Sequence, residues 1–171
     1  RLANEHNIKL RDLLFYEVYP LLSERHDYFL KYIKKCVFNY SRLVDGTGPL
    51  ALDFIDAIEK LTRRNDLSFL TLVHWKGILK RRATDYHIKW CKICLEDWRN
   101  EGRIIYQPLI WSVSTVTRCT IHNTTLSNSC SECGKNQFSL NTRSRSGYCT
   151  KCDEWLGEGD TVLTSSQVVG N

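Results

Sequence analysis

Four closely spaced pairs of potential metal ligands constrain the second half of this 171-residue sequence more than any other feature. Each pair leaves two residues between its members, so one tight turn can direct both side chains at the same ion. The pairs are Cys91/Cys94, Cys119/His122, Cys130/Cys133 and Cys149/Cys152. They contain all of the chain's 8 cysteines except Cys36. A secreted disulfide framework would scatter its cysteines, so the doublets favour metal binding in a reducing compartment.

Taking the pairs in chain order predicts two Zn²⁺ ions. The first site would combine the three thiolates of Cys91, Cys94 and Cys119 with His122, and the second would use the four remaining cysteines. Four protein ligands complete a zinc tetrahedron and leave no position for an activated water, so we expect structural ions and no enzymatic activity. The sequence also lacks the deaminase signature, the nucleophile elbow, the Walker loop and the zinc-protease motif.

A different pairing of the same ligands is an alternative. The ligand order resembles that of RING-type ubiquitin ligase domains, in which the ligands alternate between two ions and the histidine lies two or three residues before the next cysteine. Here seven residues separate His122 from Cys130, which favours two consecutive sites. A zinc-containing transcription factor is a further alternative, because the ligands alone do not specify a biological process.

Residues 1–88 are predicted to form a mainly α-helical module, with a helix-turn-helix arrangement as one version of it. Apolar residues recur at helical spacing over residues 8–18, where Pro20 marks the end, and over residues 24–40, where Cys36 belongs to the buried face. The pattern is clearest after Pro49, which suits a first helical turn. Asp66 is a candidate cap for another short helix.

Residues 89–157 are predicted to form two sequential zinc-finger or zinc-ribbon modules, which makes the fold class a small α+β protein. A β-favouring run at residues 103–117 predicts one edge strand or two short strands, because Pro108 interrupts it. Residues 158–171 are interpreted as a connector to a further C-terminal region. The sequence contains no run of eighteen apolar residues, so no membrane span is predicted.

Positive charge is concentrated between Lys60 and Lys89, where eight Lys and Arg residues oppose two Asp residues. The chain as a whole has a formal net charge of +5, which seven thiolates and two divalent ions would lower to +2. Trp75 beside this basic run suits phosphate and base contacts, although the alternative is a buried indole next to a solvated helix face. The candidate nucleic-acid contacts are Lys60, Arg63, Arg64, Lys76, Lys80, Arg81 and Arg82, with Arg143 and Arg145 as a weaker second group.

Several motifs, in order along the chain, resemble those of the TniQ family. The chain opens with "RLANEHNIKLRDLL", continues with "LTLVHW", a basic run and "WCKICLED", and then has "CTIHNTTLSNSCSECG" with Trp111 before it and Leu126 within it. The resemblance extends over about residues 1–155.

The resemblance implies a target-site selector of a cut-and-paste transposition system rather than an enzyme. Members of the TniQ family mark the insertion site and recruit an AAA+ ATPase regulator, which in turn engages the transposase. Some members recognise target DNA directly, whereas others dock on a CRISPR effector complex. We therefore expect a cytoplasmic bacterial protein, and the sequence leaves open whether it forms a homodimer.

Overall fold

The computed structural model describes residues 2–22, 46–79, 83–138, 141 and 143–157. The α-helices in these ranges are α1 (Leu2–Glu5), α2 (Leu10–Asp12), α3 (Pro49–Thr62) and α4 (Lys92–Asn100). Shorter 3-10 turns occur at Leu67–Leu70, Val73–Trp75 and Leu109–Ser112. β-Pairing among the described residues consists of isolated bridges between single residues, so the β part of the predicted α+β class is limited to short hairpin turns.

The helix predicted over residues 8–18 changes its winding along its length. α2 continues as a π-helical segment, Leu13–Val18, and then as a 3-10 turn, Tyr19–Leu21. Pro20 stands in this last turn, one residue before the helix ends. The segment buries Leu13, Leu14 and Val18, as the apolar pattern predicted.

α3 lies where the sequence predicted a helix and has the expected start. Gly48 is its N-cap, and Pro49 occupies the first turn, where no intrahelical N–H bond is required. The helix ends at Arg63, whose backbone is left-handed with φ of 54°. Its buried face includes Leu50, Phe54 and Ala57, which pack against α1 and the π-helical segment.

Two predicted details need correction. Asp66 stands at the N-cap position of the short 3-10 helix Leu67–Leu70, but its side chain makes no capping bond and accepts instead from the Arg64 guanidinium. The predicted strand over residues 103–117 is replaced by the 3-10 turn Leu109–Ser112, with Val113 forming a single bridge to Thr84. Pro108 lies immediately before that turn and has no backbone N–H to donate to a strand ladder, which disfavours a continuous strand through this position.

Some of the predictions fall outside the described residues. The helix predicted at residues 24–40, with Cys36, lies within the stretch 23–45 that the structure does not describe. The helix-turn-helix arrangement therefore stays a prediction, and so does the connector at residues 158–171. In the parts of the chain that are described, none of the helices is both long and apolar enough to cross a membrane.

Two separate hydrophobic clusters organise the described residues. The first joins α1, the helical run from α2 to Leu22, and α3. The second surrounds the cysteine pairs and includes Trp90, Trp98, Trp111 and Leu156. Among the described residues, none belongs to both clusters. Trp90, in the segment leading into α4, belongs to the second cluster and forms a bridge to Ser127.

Candidate metal centres

Three of the four ligand pairs lie in turns of the same construction. In each turn, the amide of the residue after the second ligand donates to the carbonyl of the first ligand. The bonds are Asn123 N to Cys119 O at 2.9 Å, Gly134 N to Cys130 O at 3.0 Å and Asp153 N to Cys149 O at 3.0 Å. The donating residue has a positive φ in every case, 51°, 66° and 61° respectively, a conformation that Gly, Asn and Asp adopt at lower cost than other residues.

A single bridge closes each of these turns outside the ligands. The bridges join Arg118 to Thr125, Ser129 to Asn136 and Tyr148 to Trp155. Each turn thus repeats one hairpin geometry that points two ligand side chains to the same side. Gly134 supplies the positive-φ position of its turn, and Asn123 and Asp153 take the same role in the other two turns.

The first ligand pair is built differently, on the start of a helix. Cys91 is the N-cap of α4 and Cys94 lies in its first turn, with Leu95 N donating to Cys91 O at 3.2 Å. α4 was not among the predicted helices. Its signal was present in the helical spacing of Cys91, Cys94, Leu95 and Trp98, all of which are buried.

The first cluster brings together Cys91, Cys94, Cys119 and His122, whose ligand atoms all lie within 4.8 Å of one another. The His122 Nδ1 atom is 3.5 Å from Cys91 Sγ, 3.2 Å from Cys94 Sγ and 3.8 Å from Cys119 Sγ. Cys94 Sγ and Cys119 Sγ are 3.6 Å apart. The three cysteines are buried, and His122 is partly exposed.

The second cluster consists of Cys130, Cys133, Cys149 and Cys152. Its Sγ–Sγ distances are 3.7 Å between Cys130 and Cys152 and 3.6 Å between Cys133 and Cys149. Cys152 is exposed and Cys133 partly exposed, so this cluster is more open than the first. The ligands group consecutively along the chain, as predicted, and not in the alternating order of a RING domain.

The distances fit a tetrahedral ion in both clusters. Zn–S and Zn–N bonds of about 2.3 and 2.0–2.1 Å give tetrahedral edges of about 3.8 Å between two sulfurs and about 3.6 Å between sulfur and nitrogen. The observed separations lie close to these edges, and the largest departure is the 3.2 Å between Cys94 Sγ and His122 Nδ1. They are also far longer than a disulfide bond of about 2.0 Å. Each cluster could therefore hold one metal ion.

The local hydrogen bonds prepare one thiol of each cluster for ionisation. Burial opposes ionisation of Cys119, but the backbone amides of His122 and Ile121 outweigh it and lower the pKa of this thiol to about 7. Burial likewise opposes ionisation of Cys149, and the amides of Cys152 and Lys151 lower its pKa to about 7. Burial and neighbouring thiols raise the pKa of Cys94, so a bound cation is needed to ionise the full set.

Asp97 holds the ring of His122, the one histidine among the candidate ligands. Asp97 was not among the predicted site residues. Its Oδ2 atom lies 3.0 Å from His122 Nε2, while Nδ1 of the same ring faces the three thiols. A carboxylate that accepts from the second ring nitrogen is a common partner of a metal-bound histidine, because this bond sets the tautomer and the ring orientation. Asp97 projects from α4, which also carries Cys94.

Four tryptophans contribute to the apolar surroundings of the two clusters. Trp90, Trp98 and Trp111 are buried, and Trp155 packs against them from the side. Trp90 Nε1 donates to Leu156 O at 2.9 Å, and Trp155 Nε1 donates to Glu96 Oε2 of α4 at 2.8 Å. These bonds connect the hairpin that carries Cys149 and Cys152 to the segment around Cys91 and Cys94.

The basic residues predicted to contact nucleic acid fall into three groups. Lys60 and Arg64 are exposed but already paired, with Asp56 at 2.7 Å and Asp66 at 2.5 Å. Arg63 and Lys76 are exposed as well. Lys80, Arg81 and Arg82 lie outside the described residues.

The weaker pair of candidates, Arg143 and Arg145, and two residues of the basic region, Trp75 and Lys89, are placed as follows. Arg143 is exposed, and the Arg145 guanidinium lies 3.8 Å from the centre of the Tyr148 ring. Trp75 is 48% exposed, so the alternative of a buried indole is wrong. Lys89, which contributed to the basic run, is buried and donates to the carbonyls of Val113 and Val116 at 2.8 and 2.6 Å, so its charge is used internally.

In the described residues, a helical N-terminal part is followed by two consecutive Cys/His sets of four, and this arrangement defines a protein with two candidate metal-binding sites. The TniQ family model matches residues 1–126, which is most of the chain, and the chain belongs to the TniQ family. This membership associates it with DNA transposition. A search of curated proteins found no significant match.

Proposed function

We propose that each of the two clusters holds one structural Zn²⁺ ion. The ligand types and the tetrahedral edge lengths support zinc, since thiolate and imidazole sets of four are typical of its structural sites. The ion supplies a cross-link that stabilises short hairpins with little apolar area of their own. The chain's part is to orient the ligands, through the three repeated turns and the first turn of α4.

Metal analysis of the purified chain tests this proposal, with an expected content of about two Zn²⁺ per molecule, one for each complete set. Cys91→Ser and Cys130→Ser should each reduce the content to about one. Cys36→Ser is the matched control, because Cys36 is the one cysteine outside the four pairs, and it should leave the content unchanged. A content near zero in the unsubstituted protein would contradict the proposal.

We further propose that the protein is a non-enzymatic target-site selector of a transposition system, acting in the bacterial cytoplasm. In this role it links target DNA, directly or through a CRISPR effector, to an AAA+ ATPase regulator that recruits the transposase. The family membership over residues 1–126 is the observation that carries this proposal. The complete ligand sets support a binding role, because neither leaves a position for a catalytic water.

The ATPase contact is tested by capturing the full chain on the AAA+ ATPase regulator of the same transposition system, in the presence of ATP and DNA. Recovery of the pair at near-equal amounts is the expected result. A purified ATPase from an unrelated transposon serves as the control for non-specific retention. Absence of any complex under conditions where the ATPase binds DNA would refute the adaptor role.

Direct DNA contact is tested separately, because a protein guided by a CRISPR effector does not require it. We expect binding that weakens steeply with salt, with the slope reduced by about 3 when Lys80, Arg81 and Arg82 are all replaced by Glu, at about 0.9 per lost phosphate contact. Replacing the exposed Lys9, Lys135 and Lys151 by Glu makes the same change in net charge elsewhere. Equal losses in both triple variants would mean that total charge, and not the basic run, controls binding.

A further inference from the structure

One fully buried polar side chain touches the second cluster without being a ligand. Gln137 is 1% exposed and lies between the two hairpins that carry Cys130 and Cys149. Its amide oxygen accepts hydrogen bonds from Thr150 N at 2.8 Å and from Thr150 Oγ1 at 2.9 Å. Its amide nitrogen donates to Lys135 O at 2.8 Å and lies 3.2 Å from Cys149 Sγ.

The partners of Gln137 fix which end of the amide faces the sulfur. The backbone N–H of Thr150 can only donate, so it must meet the amide oxygen, and the carbonyl of Lys135 can only accept, so it must meet the amide nitrogen. The second N–H of the amide therefore points at Cys149 Sγ. A thiolate is a better acceptor for such a bond than a thiol.

The same side chain also connects the two halves of the ligand set. Lys135 follows the Cys130/Cys133 turn, whereas Thr150 lies inside the Cys149/Cys152 turn, and Gln137 bonds to both. Its own carbonyl accepts from Ile88 N at 3.0 Å, three residues before Cys91. Burying a carboxamide is unfavourable unless all its bonds are made, and here they are made only in the assembled second cluster.

We propose that Gln137 is a positioning residue for the metal of the second cluster. It donates an N–H···S hydrogen bond to the metal-bound thiolate of Cys149 and holds the two hairpins at the separation that four sulfurs require. This inference rests on the proposed zinc site and assigns the affinity of that site to a residue that is not one of its ligands. Loss of such outer contacts typically weakens metal binding about 10-fold to 100-fold.

The test uses the full chain loaded with ¹¹³Cd²⁺, because cadmium bound by four sulfurs and cadmium bound by three sulfurs and a nitrogen give separate resonances. Gln137→Glu keeps the shape and the acceptor for Thr150 but replaces the N–H donor by an oxygen. We expect its four-sulfur resonance to shift and to disappear at about 10-fold lower concentration of a competing chelator. The resonance of the first cluster should stay in place.

Asn136→Asp is the matched control, since it makes the same amide-to-carboxylate change one residue away on an exposed side chain. Gln137→Met fills nearly the same volume without polar atoms. If Gln137 only fills space, the Met variant should keep the cadmium resonance and affinity of the unsubstituted protein. That result would overturn the proposal.

A measurement on the unsubstituted protein covers the case in which both variants fail to fold. A scalar coupling between ¹¹³Cd and a side-chain amide proton of Gln137 is expected across the N–H···S bond. Couplings to backbone amides such as that of Lys151 without one to Gln137 would overturn the proposal. No bound cadmium at all would refute the metal sites themselves, and loss of ATPase binding with normal cadmium spectra would refute only the adaptor role.

Discussion

At the scale of single residues, the candidate ligands were predictable and the residues that contact them were not. The two-residue spacing within each doublet is a local property of the sequence, and it identifies all eight residues that the fold gathers into two clusters. Asp97 and Gln137 lie 25 and 12 residues from the ligands that they contact, and no local pattern distinguishes them from other polar residues. Only the folded arrangement reveals why these two polar residues occupy their positions.

Removing the carboxylate behind His122 should weaken the first metal site. We expect Asp97→Ala to lower its metal affinity about 10-fold to 100-fold, because the imidazole loses the partner that orients Nδ1 toward the ion. Asp97→Asn should have a smaller effect, since it retains an acceptor for Nε2. The affinity is measured by competition with a chelating dye.

Glu101→Ala provides the control for this prediction, because Glu101 is an exposed carboxylate at the end of α4 that pairs with Arg103. An equal loss of affinity in the control would indicate a general charge effect instead of orientation of His122.

Gly147 is a second position where one residue controls the metal-binding half. Its φ is 83°, and an added Cβ would overlap the Trp155 ring. We expect Gly147→Ala to lower the free energy of unfolding by about 1–3 kcal/mol through overpacking, in addition to the cost of a left-handed backbone. Denaturant unfolding followed by tryptophan fluorescence measures the change.

Gly134→Ala separates the two costs, because Gly134 also has a positive φ, 66°, but meets no atom within 4 Å of an added Cβ. This variant should be the less destabilised of the two. A larger loss at Gly134 would mean that the contact with Trp155 contributes little.

At the scale of elements, prediction succeeded where a local signal decides the conformation. Pro49 after Gly48 and a regular apolar pattern define α3 in the sequence and in the structure. α4 was missed because a two-residue gap between ligands fits either a hairpin turn or the first turn of a helix. The strand predicted at residues 103–117 failed because Pro108 favours the turn that follows, and β propensity is easily overridden by tertiary contacts.

The end of α3 allows a specific stabilisation. Arg63 adopts φ of 54° at the helix C-cap, where glycine is free of the Cβ penalty. We expect Arg63→Gly to raise the free energy of unfolding by about 0.5–1 kcal/mol, after allowing for the more flexible unfolded chain. The denaturant midpoint followed by circular dichroism would show the gain.

Arg64→Gly is the matched control, because Arg64 lies one residue further on and is not among the residues with positive φ. It should give no gain in stability. The same pair of variants also reports on nucleic acid, since weaker DNA binding by Arg63→Gly alone would identify Arg63 as a contact.

At the scale of the whole molecule, the two hydrophobic clusters differ in what holds them together. The first consists of helix faces that pack directly, whereas the second contains the cysteines themselves. Four of the chain's 5 tryptophans belong to the second hydrophobic cluster or pack against it. Metal loss should therefore be visible in one half of the molecule before the other.

We expect a strong chelator to shift the tryptophan fluorescence to longer wavelength, while most of the helical circular dichroism signal, to which α3 contributes, is retained. The physical reason is that the hairpins bury too little apolar area to fold without the ions, whereas α3 packs through Leu50, Phe54 and Ala57. The same chelator saturated beforehand with zinc is the control. Simultaneous loss of both signals would show that the first hydrophobic cluster, which contains α3, also depends on metal.

The bond from the Trp90 indole to the carbonyl of Leu156 has a practical consequence for dissecting this protein. The family match stops at Leu126, yet the side chains that enclose Trp90 continue for thirty residues past that point. A fragment trimmed to the matched range would keep all four residues of the first candidate metal site, but it would lose residues that bury Trp90. Such a fragment would aggregate, and its failure would be misread as a property of the family.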